Sequence, residues 1–208
     1  MAHVLTIAQQ KGGSGKTTLA VNLAVQFVKL GQRVALLDTD PQGSLGRWFM
    51  TRRERGVQDM DFSTASAWGV GYEVEKLKKT NDIVIIDTPP KIDSDLRPAL
   101  REATLILIPV SSSHVDLWAT DGVLDLASRV GKPATIILNR TKAGTRLAEE
   151  VAVAAAALCP DITAATLGNR IVFAETLGHG QGAAEVGKSP AQTEIAALAA
   201  ELLARLQG

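Results

Sequence analysis

The run Lys11-Gly12-Gly13-Ser14-Gly15-Lys16-Thr17-Thr18 combines residue types and a spacing that suit phosphate chemistry. Its glycines let the backbone turn successive N–H groups toward one point, and a helix starting just behind them adds partial positive charge there. In such a loop Lys16 is expected to reach the β- and γ-phosphates of a nucleotide, and the Thr17 hydroxyl to ligate Mg²⁺. A glycine-rich turn alone is a weak signal. A Gly-Lys-Thr-Thr run between a strand-like and a helix-like segment is a specific one. The usual loop begins with a glycine five residues before the final Gly-Lys; Gln10 holds that place and Lys11 follows it. One triphosphate is already served by Lys16 and the helix end. A second lysine at the rim could reach the phosphates of a facing subunit instead; a solvated loop lysine is the plainer alternative.

Two further stations are acidic. Leu36-Leu37-Asp38-Thr39-Asp40-Pro41-Gln42-Gly43 ends a strand with two carboxylates spaced two apart, whose side chains are expected to leave on one face. At the carboxyl edge of a parallel sheet, where α/β proteins bind ligands, unpaired acids are costly, and Mg²⁺ with a polarised water would satisfy them. Ile83-Val84-Ile85-Ile86-Asp87-Thr88-Pro89-Pro90 delivers a third carboxylate to the same edge, with Asp87 expected to hold a magnesium-bound water.

Together these boxes resemble the ParA/MinD family of deviant Walker A P-loop ATPases, most nearly the small ParA-type partition and positioning ATPases without an N-terminal DNA-binding domain. The resemblance runs from Lys11 to Gly180 and is most specific in the phosphate box. It implies ATP with Mg²⁺, hydrolysis of that ATP, and an ATP-dependent sandwich homodimer in which Lys11 contacts nucleotide across the interface. It assigns catalysis to Lys11, Lys16, Asp38, Asp40 and Asp87, with Asp40 positioning the attacking water and Asp38 supporting the magnesium shell. Nucleotide binding falls to Lys11, Gly12, Gly13, Ser14, Gly15, Lys16, Thr17 and Thr18, joined by Asn139 and Arg140. The metal set is Thr17, Asp38 and Asp87. Asn139 ends a later strand and offers a donor and an acceptor, as an adenine edge requires; a turn asparagine is the plainer alternative. The stretch after Asp87 corresponds to a switch that senses the γ-phosphate, and Lys91 and Asp93 depart from the small residues of that pattern. Trp118 matches an interface helix, with a core tryptophan as the alternative. Ala174-Glu175 with His179-Gly180 is similar to a late motif near the nucleotide and dimer edge.

The elements that must position these residues are legible as alternation. Val4–Ala8, Val34–Leu37, Ile83–Ile86, Leu105–Ile108 and Ala134–Leu138 are short apolar runs without a polar face, which predicts parallel strands covered on both sides. Asp61–Ser63 and Ile162–Ala165 are weaker strand candidates. Leu19, Leu23, Phe27 and Leu30 recur on one helical face, and Gly31 ends that helix. Further helices are predicted over Leu117–Val130, Leu147–Leu158 and Pro190–Leu206. The expectation is one α/β domain over residues 1–208, doubly wound, with a mostly parallel sheet and helices on both faces.

Composition excludes several other classes. A single cysteine, Cys159, rules out an intrachain disulfide and speaks against a thiolate cluster. No signal peptide is read ahead of the first strand, and no apolar run reaches the roughly 18 residues of a membrane span. A cytoplasmic protein is expected, nucleoid-associated when ATP-bound. Lys+Arg and Asp+Glu balance at 22 each, so nucleic-acid binding requires a local patch. The candidates are Arg52 and Arg53 beside Arg47 and Arg55, Arg140 and Lys142 beside Arg146, and Arg170. By the resemblance, the partners are a second copy, non-specific DNA, and a small basic ParB-like or cargo-adaptor protein. Two other readings on the same fold are a MinD-like membrane-surface ATPase and an ATP-dependent metabolic synthetase. The first needs a basic amphipathic tail, and the stretch Glu194–Leu206, with one arginine and no aromatic, is predicted to pack instead, so no membrane partner is expected.

Overall fold

The computed structural model describes residues 2–91 and 96–207. Six strands, β1 (His3–Ile7), β2 (Val34–Asp38), β3 (Asp61–Thr64), β4 (Ile83–Asp87), β5 (Leu105–Val110) and β6 (Ala134–Leu138), form one sheet in the order β3-β2-β4-β1-β5-β6. Every neighbouring pair is parallel. Register explains why three separate boxes meet: Ile7, the last residue of β1, lies beside Asp87, and Asp38 lies beside Asp87 from the other side. The loops leaving β1, β2 and β4 therefore open side by side at the carboxyl edge.

Alternate strand residues feed opposite faces. Leu5, Ile7, Leu36, Ile83, Ile85 and Leu107 join the core beneath α1 (Lys16–Lys29) and α9 (Pro190–Gln207). Val4, Ala35, Leu37, Val84 and Ile86 face α3 (Val70–Leu77) and α4 (Leu96–Glu102). On the far side of β1, Ile106, Ile108 and Ile136 pack against α6 (Asp121–Arg129) and α7 (Arg146–Leu158). Each of these leucines and isoleucines is fully buried and contributes about 1.5–3 kcal/mol relative to exposure. The two-faced burial and the absence of strand alternation have the same cause, as expected from the apolar runs.

Two expectations are corrected. Ile162–Ala165 is not a strand; it contributes a single parallel bridge, Ile162 to Ile136. The helix expected over Leu117–Val130 is two helices, α5 (His114–Trp118) and α6, parted at Ala119 and Thr120. There the Thr120 hydroxyl donates to the Asp116 carbonyl at 2.8 Å and accepts from Gln9 Nε2 at 3.0 Å, tying the break to the end of β1. Periodicity also did not single out α2 (Ser44–Glu54), α3, α4 or α8 (Ile171–Gly178).

Candidate nucleotide and magnesium site

The phosphate loop leaves β1 and turns on Gly13 and Gly15, both with positive φ, at 78° and 92°. Gly15 is required twice over: a Cβ there would stand 2.5 Å from Asn139 Nδ2. Asn139 explains the crowding. Its amide donates to the Ser14 carbonyl at 2.9 Å, and its oxygen accepts the Arg140 N–H at 2.9 Å. Arg140 in turn donates to the Gly13 carbonyl at 2.8 Å. The end of β6 thus braces the loop from behind. This differs from the expectation that both ends of the Asn139 amide address a base.

Lys16 begins α1, is buried, and donates from Nζ to the Gln9 carbonyl at 3.1 Å. Burial holds its pKa below the usual lysine value, with Asp87 and Asp40 partly offsetting this. An anion arriving at the loop would favour the charged form further. Thr17 Oγ1 donates to Asp87 Oδ2 at 2.7 Å. The other carboxylate oxygen, Asp87 Oδ1, is buried without a hydrogen-bond partner among the described residues. Burial pushes the Asp87 pKa up to about 7, with Asp38 adding to the rise and Thr17 and Lys16 opposing it. A buried carboxylate with one bare oxygen beside a threonine hydroxyl fits a divalent cation. Among the described residues no group of three or more His, Cys, Asp or Glu side chains forms a metal cage. That suits Mg²⁺, which keeps waters and substrate phosphates in its shell. Thr17 and Asp87 would hold it, and the ion would neutralise charge on the phosphates.

The second box is built differently from the expected strand-end pair. Asp38 is the last residue of β2 and is buried; its two oxygens accept the N–H of Asp40 and of Gly46, each at 3.0 Å. Burial raises its pKa, and those two N–H bonds oppose the rise. Asp38 therefore fastens the Asp40 loop and the first turn of α2, and only Asp40 is partly open. Asp40 Oδ1 accepts the Gln42 N–H at 3.0 Å, and the loop borders a cavity of about 440 Å³ shared with Thr64, Ala65 and Ser66.

Lys11 lies at the rim, partly exposed, and forms an ion pair with Asp116 on α5. Asp116 is buried and also accepts the N–H and hydroxyl of Ser111. Nothing in the sequence paired Asp116 with Lys11, because the contact joins residues 105 apart. On the same short helix Val115 is 51% and Trp118 71% exposed, which removes the core alternative for Trp118. A second cavity, of about 420 Å³, lies on the other side of Arg140 and is lined by Thr18, Asn139, Asn169, Arg170 and Phe173 among others. It is concave, lies beside the loop and has the size of a nucleoside pocket. Ala174 lines it, whereas His179 turns its carbonyl to Arg55 at 3.2 Å. Lys91 is exposed, and Asp93 lies outside the described residues.

The basic candidates separate on burial. Arg52 is corrected: it is 2% exposed, clamped by Asp59 and Glu185 at 2.6–3.0 Å, and cannot meet a DNA phosphate. Arg170 pairs with Glu194 at 2.6 Å. Arg53, Arg140 and Lys142 are exposed and form no ion pair among the described residues. No described helix is long and apolar enough to cross a membrane, and α9 buries Ile195, Leu198 and Leu202 in the core.

Comparison with known proteins agrees with this geometry. The chain is 28% identical over 196 residues to the maintenance of carboxysome distribution protein A of Halothiobacillus neapolitanus, covering 89% of this chain and 88% of that protein. It is 30% identical over 147 residues to the chromosome-partitioning ATPase Soj of Thermus thermophilus, covering 58% and 59%. Its fold superposes on the ATP complex of Cyanothece McdA with a TM-score of 0.81 at 16% identity, over 98% of this chain and 96% of that one. Residues 5–156 match the CobQ/CobB/MinD/ParA nucleotide binding domain, and the chain belongs to that family.

Proposed function

We propose that this ATPase works as a positioning device: two copies close around two MgATP molecules, the dimer holds DNA without sequence preference, and a partner protein triggers hydrolysis and release. The observation that carries the reading is Lys11. It lies at the loop rim, ion-paired to Asp116 on α5, whose outer face carries exposed Val115 and Trp118. A second copy on that face would bury the apolar pair and bring Lys11 to the opposite triphosphate. Within each subunit Lys16, Thr17 and Asp87 serve the phosphates and Mg²⁺. Asp40 orients the water, and Asp38 acts by fixing the loop that carries Asp40. Arg53, Arg140 and Lys142 are the cations offered to DNA, with Arg170 able to join them if it leaves Glu194. The relatives named for carboxysome distribution and chromosome partitioning support a cargo of that kind.

The test is DNA retention by the Asp40→Ala protein with ATP, ADP or no nucleotide. Retention with ATP alone, falling steeply as salt is raised, is the expected result, because phosphate contacts release counterions. Retention that ignores the nucleotide, or none in any state, would overturn the DNA-linked reading.

A further inference from the structure

A recess of about 320 Å³ opens where β5 and β6 leave the sheet and α7 begins, and Ser111, Ser112, Arg140, Lys142, Thr145 and Asn169 line it. It is separate from the phosphate loop, and Arg140 and Asn169 divide it from the nucleoside-sized cavity. Among the described residues no carboxylate lines it. Four features converge on one ligand chemistry. Ser112 Oγ is buried with no hydrogen-bond partner among the described residues. A buried hydroxyl without an acceptor or donor is costly, and a polar ligand in the recess would satisfy it. Lys142 is exposed and makes no ion pair or side-chain hydrogen bond among the described residues. Arg140 sits in the left-handed region at φ 52°, an uncommon conformation for a residue with a Cβ, and spends only Nη1 on the Gly13 carbonyl. Finally, α7 is 13 residues long, and of the three N–H groups that open it, at Arg146, Leu147 and Ala148, only that of Ala148 is taken, by the Thr145 hydroxyl. The Arg146 and Leu147 N–H groups have no intrahelical acceptor.

Donors without acceptors, two cations and a helix N-terminus describe a host for an oxyanion. We infer that this recess is a second oxyanion site, which takes a phosphate group other than those of the bound nucleotide. The inference does not depend on the positioning role. Because Arg140 also braces the phosphate loop through Gly13, occupancy of the recess is expected to be coupled to nucleotide affinity. The phosphate can come from free inorganic phosphate or from a nucleic-acid backbone; the chemistry at Ser112 and Lys142 is the same.

Nuclear magnetic resonance separates these. The protein is saturated with Mg²⁺ and AMPPNP, which fills the γ-phosphate position, and inorganic phosphate is titrated in while backbone amides are followed. Saturable shifts at Ser112, Lys142 and the first turn of α7 are expected, with affinity at least ten-fold weaker in the Ser112→Ala/Lys142→Ala double variant. A short duplex that displaces the phosphate would assign the site to a nucleic-acid backbone. A duplex that leaves the phosphate in place would assign it to the free ion. Absence of saturable shifts, or equal affinity in the double variant, would overturn the site. AMPPNP affinity of the Ser112→Ala single variant controls for folding and should stay within two-fold of the parent.

Discussion

At Asp87, stability and chemistry pull in opposite directions. The carboxylate is almost wholly buried; among the described residues one oxygen has only the Thr17 hydroxyl and the other has no partner. Its pKa stands near 7, above the ordinary value of 3.8. The folded state therefore binds more protons than the unfolded chain between those two values, so stability without nucleotide falls as pH rises from about 4 to 7. Above that window the ionised group is a standing cost. Asp87→Asn removes the charge and keeps the acceptor for Thr17. Calorimetry at pH 8 without nucleotide should show the variant more stable than the parent by on the order of 1 kcal/mol, or ~2–4 °C in Tm. Mg²⁺-dependent hydrolysis should be lost. A lower Tm for the variant would mean that the ionised carboxylate is already compensated. At this scale the sequence was most readable where chemistry dictates residue type. The positions of Lys16, Thr17 and Asp87 follow from motif spacing. The partner of Lys11 and the bracing role of Asn139 do not, since each contact joins residues more than a hundred positions apart.

Among the elements, α2 shows most clearly what sequence patterns conceal. Leu45, Trp48, Phe49 and Arg52 are its buried residues, and their spacing of three, one and three is one helical face. An arginine in the apolar stripe hides it, and Gly46 weakens the helical signal further. The arginine belongs there because it is fully satisfied. It makes two bonds to Asp59, two to Glu185 and one to the Gly180 carbonyl, and its guanidinium lies 5.4 Å from the centre of the Trp48 ring. Burial alone would lower its pKa, and the bonds to Asp59 and Glu185 reverse this and raise it. Gly180 closes against it at φ 63°, where a Cβ would meet the Arg52 backbone N at 2.5 Å. The cluster locks α2, and with it the Asp40 loop, to the segment after α8. Arg52→Ala strands two carboxylates and should cost about 3–5 kcal/mol in urea unfolding. Arg53→Ala, one residue away and exposed, should stay within about 0.5 kcal/mol of the parent. Equal effects of the two would refute the clamp. The same logic explains the divided α5–α6 segment: apolar spacing runs through it, but Thr120 and Gln9 make a tertiary contact that no local pattern encodes.

Seen as a whole molecule, the sheet brings the three boxes to one edge, and α5, paired to Lys11 through Asp116, presents Val115 and Trp118 on an exposed face. The fold class and the edge were legible because parallel strands and phosphate loops are built from short, local signals. The face was not, because exposure of Val115 and Trp118 is a property of packing. In a single subunit Lys11 is neutralised by Asp116. Its proposed work across an interface requires that this ion pair be exchanged for a phosphate of the opposite subunit, which only the triphosphate form offers. Sedimentation of the Asp40→Ala protein measures this directly. With MgATP it should run as a dimer and with MgADP as a monomer, and adding Lys11→Ala should return the ATP-bound protein to a monomer. An Asp40→Ala protein that is saturated with ATP yet stays monomeric, or a dimer indifferent to Lys11, would contradict the account.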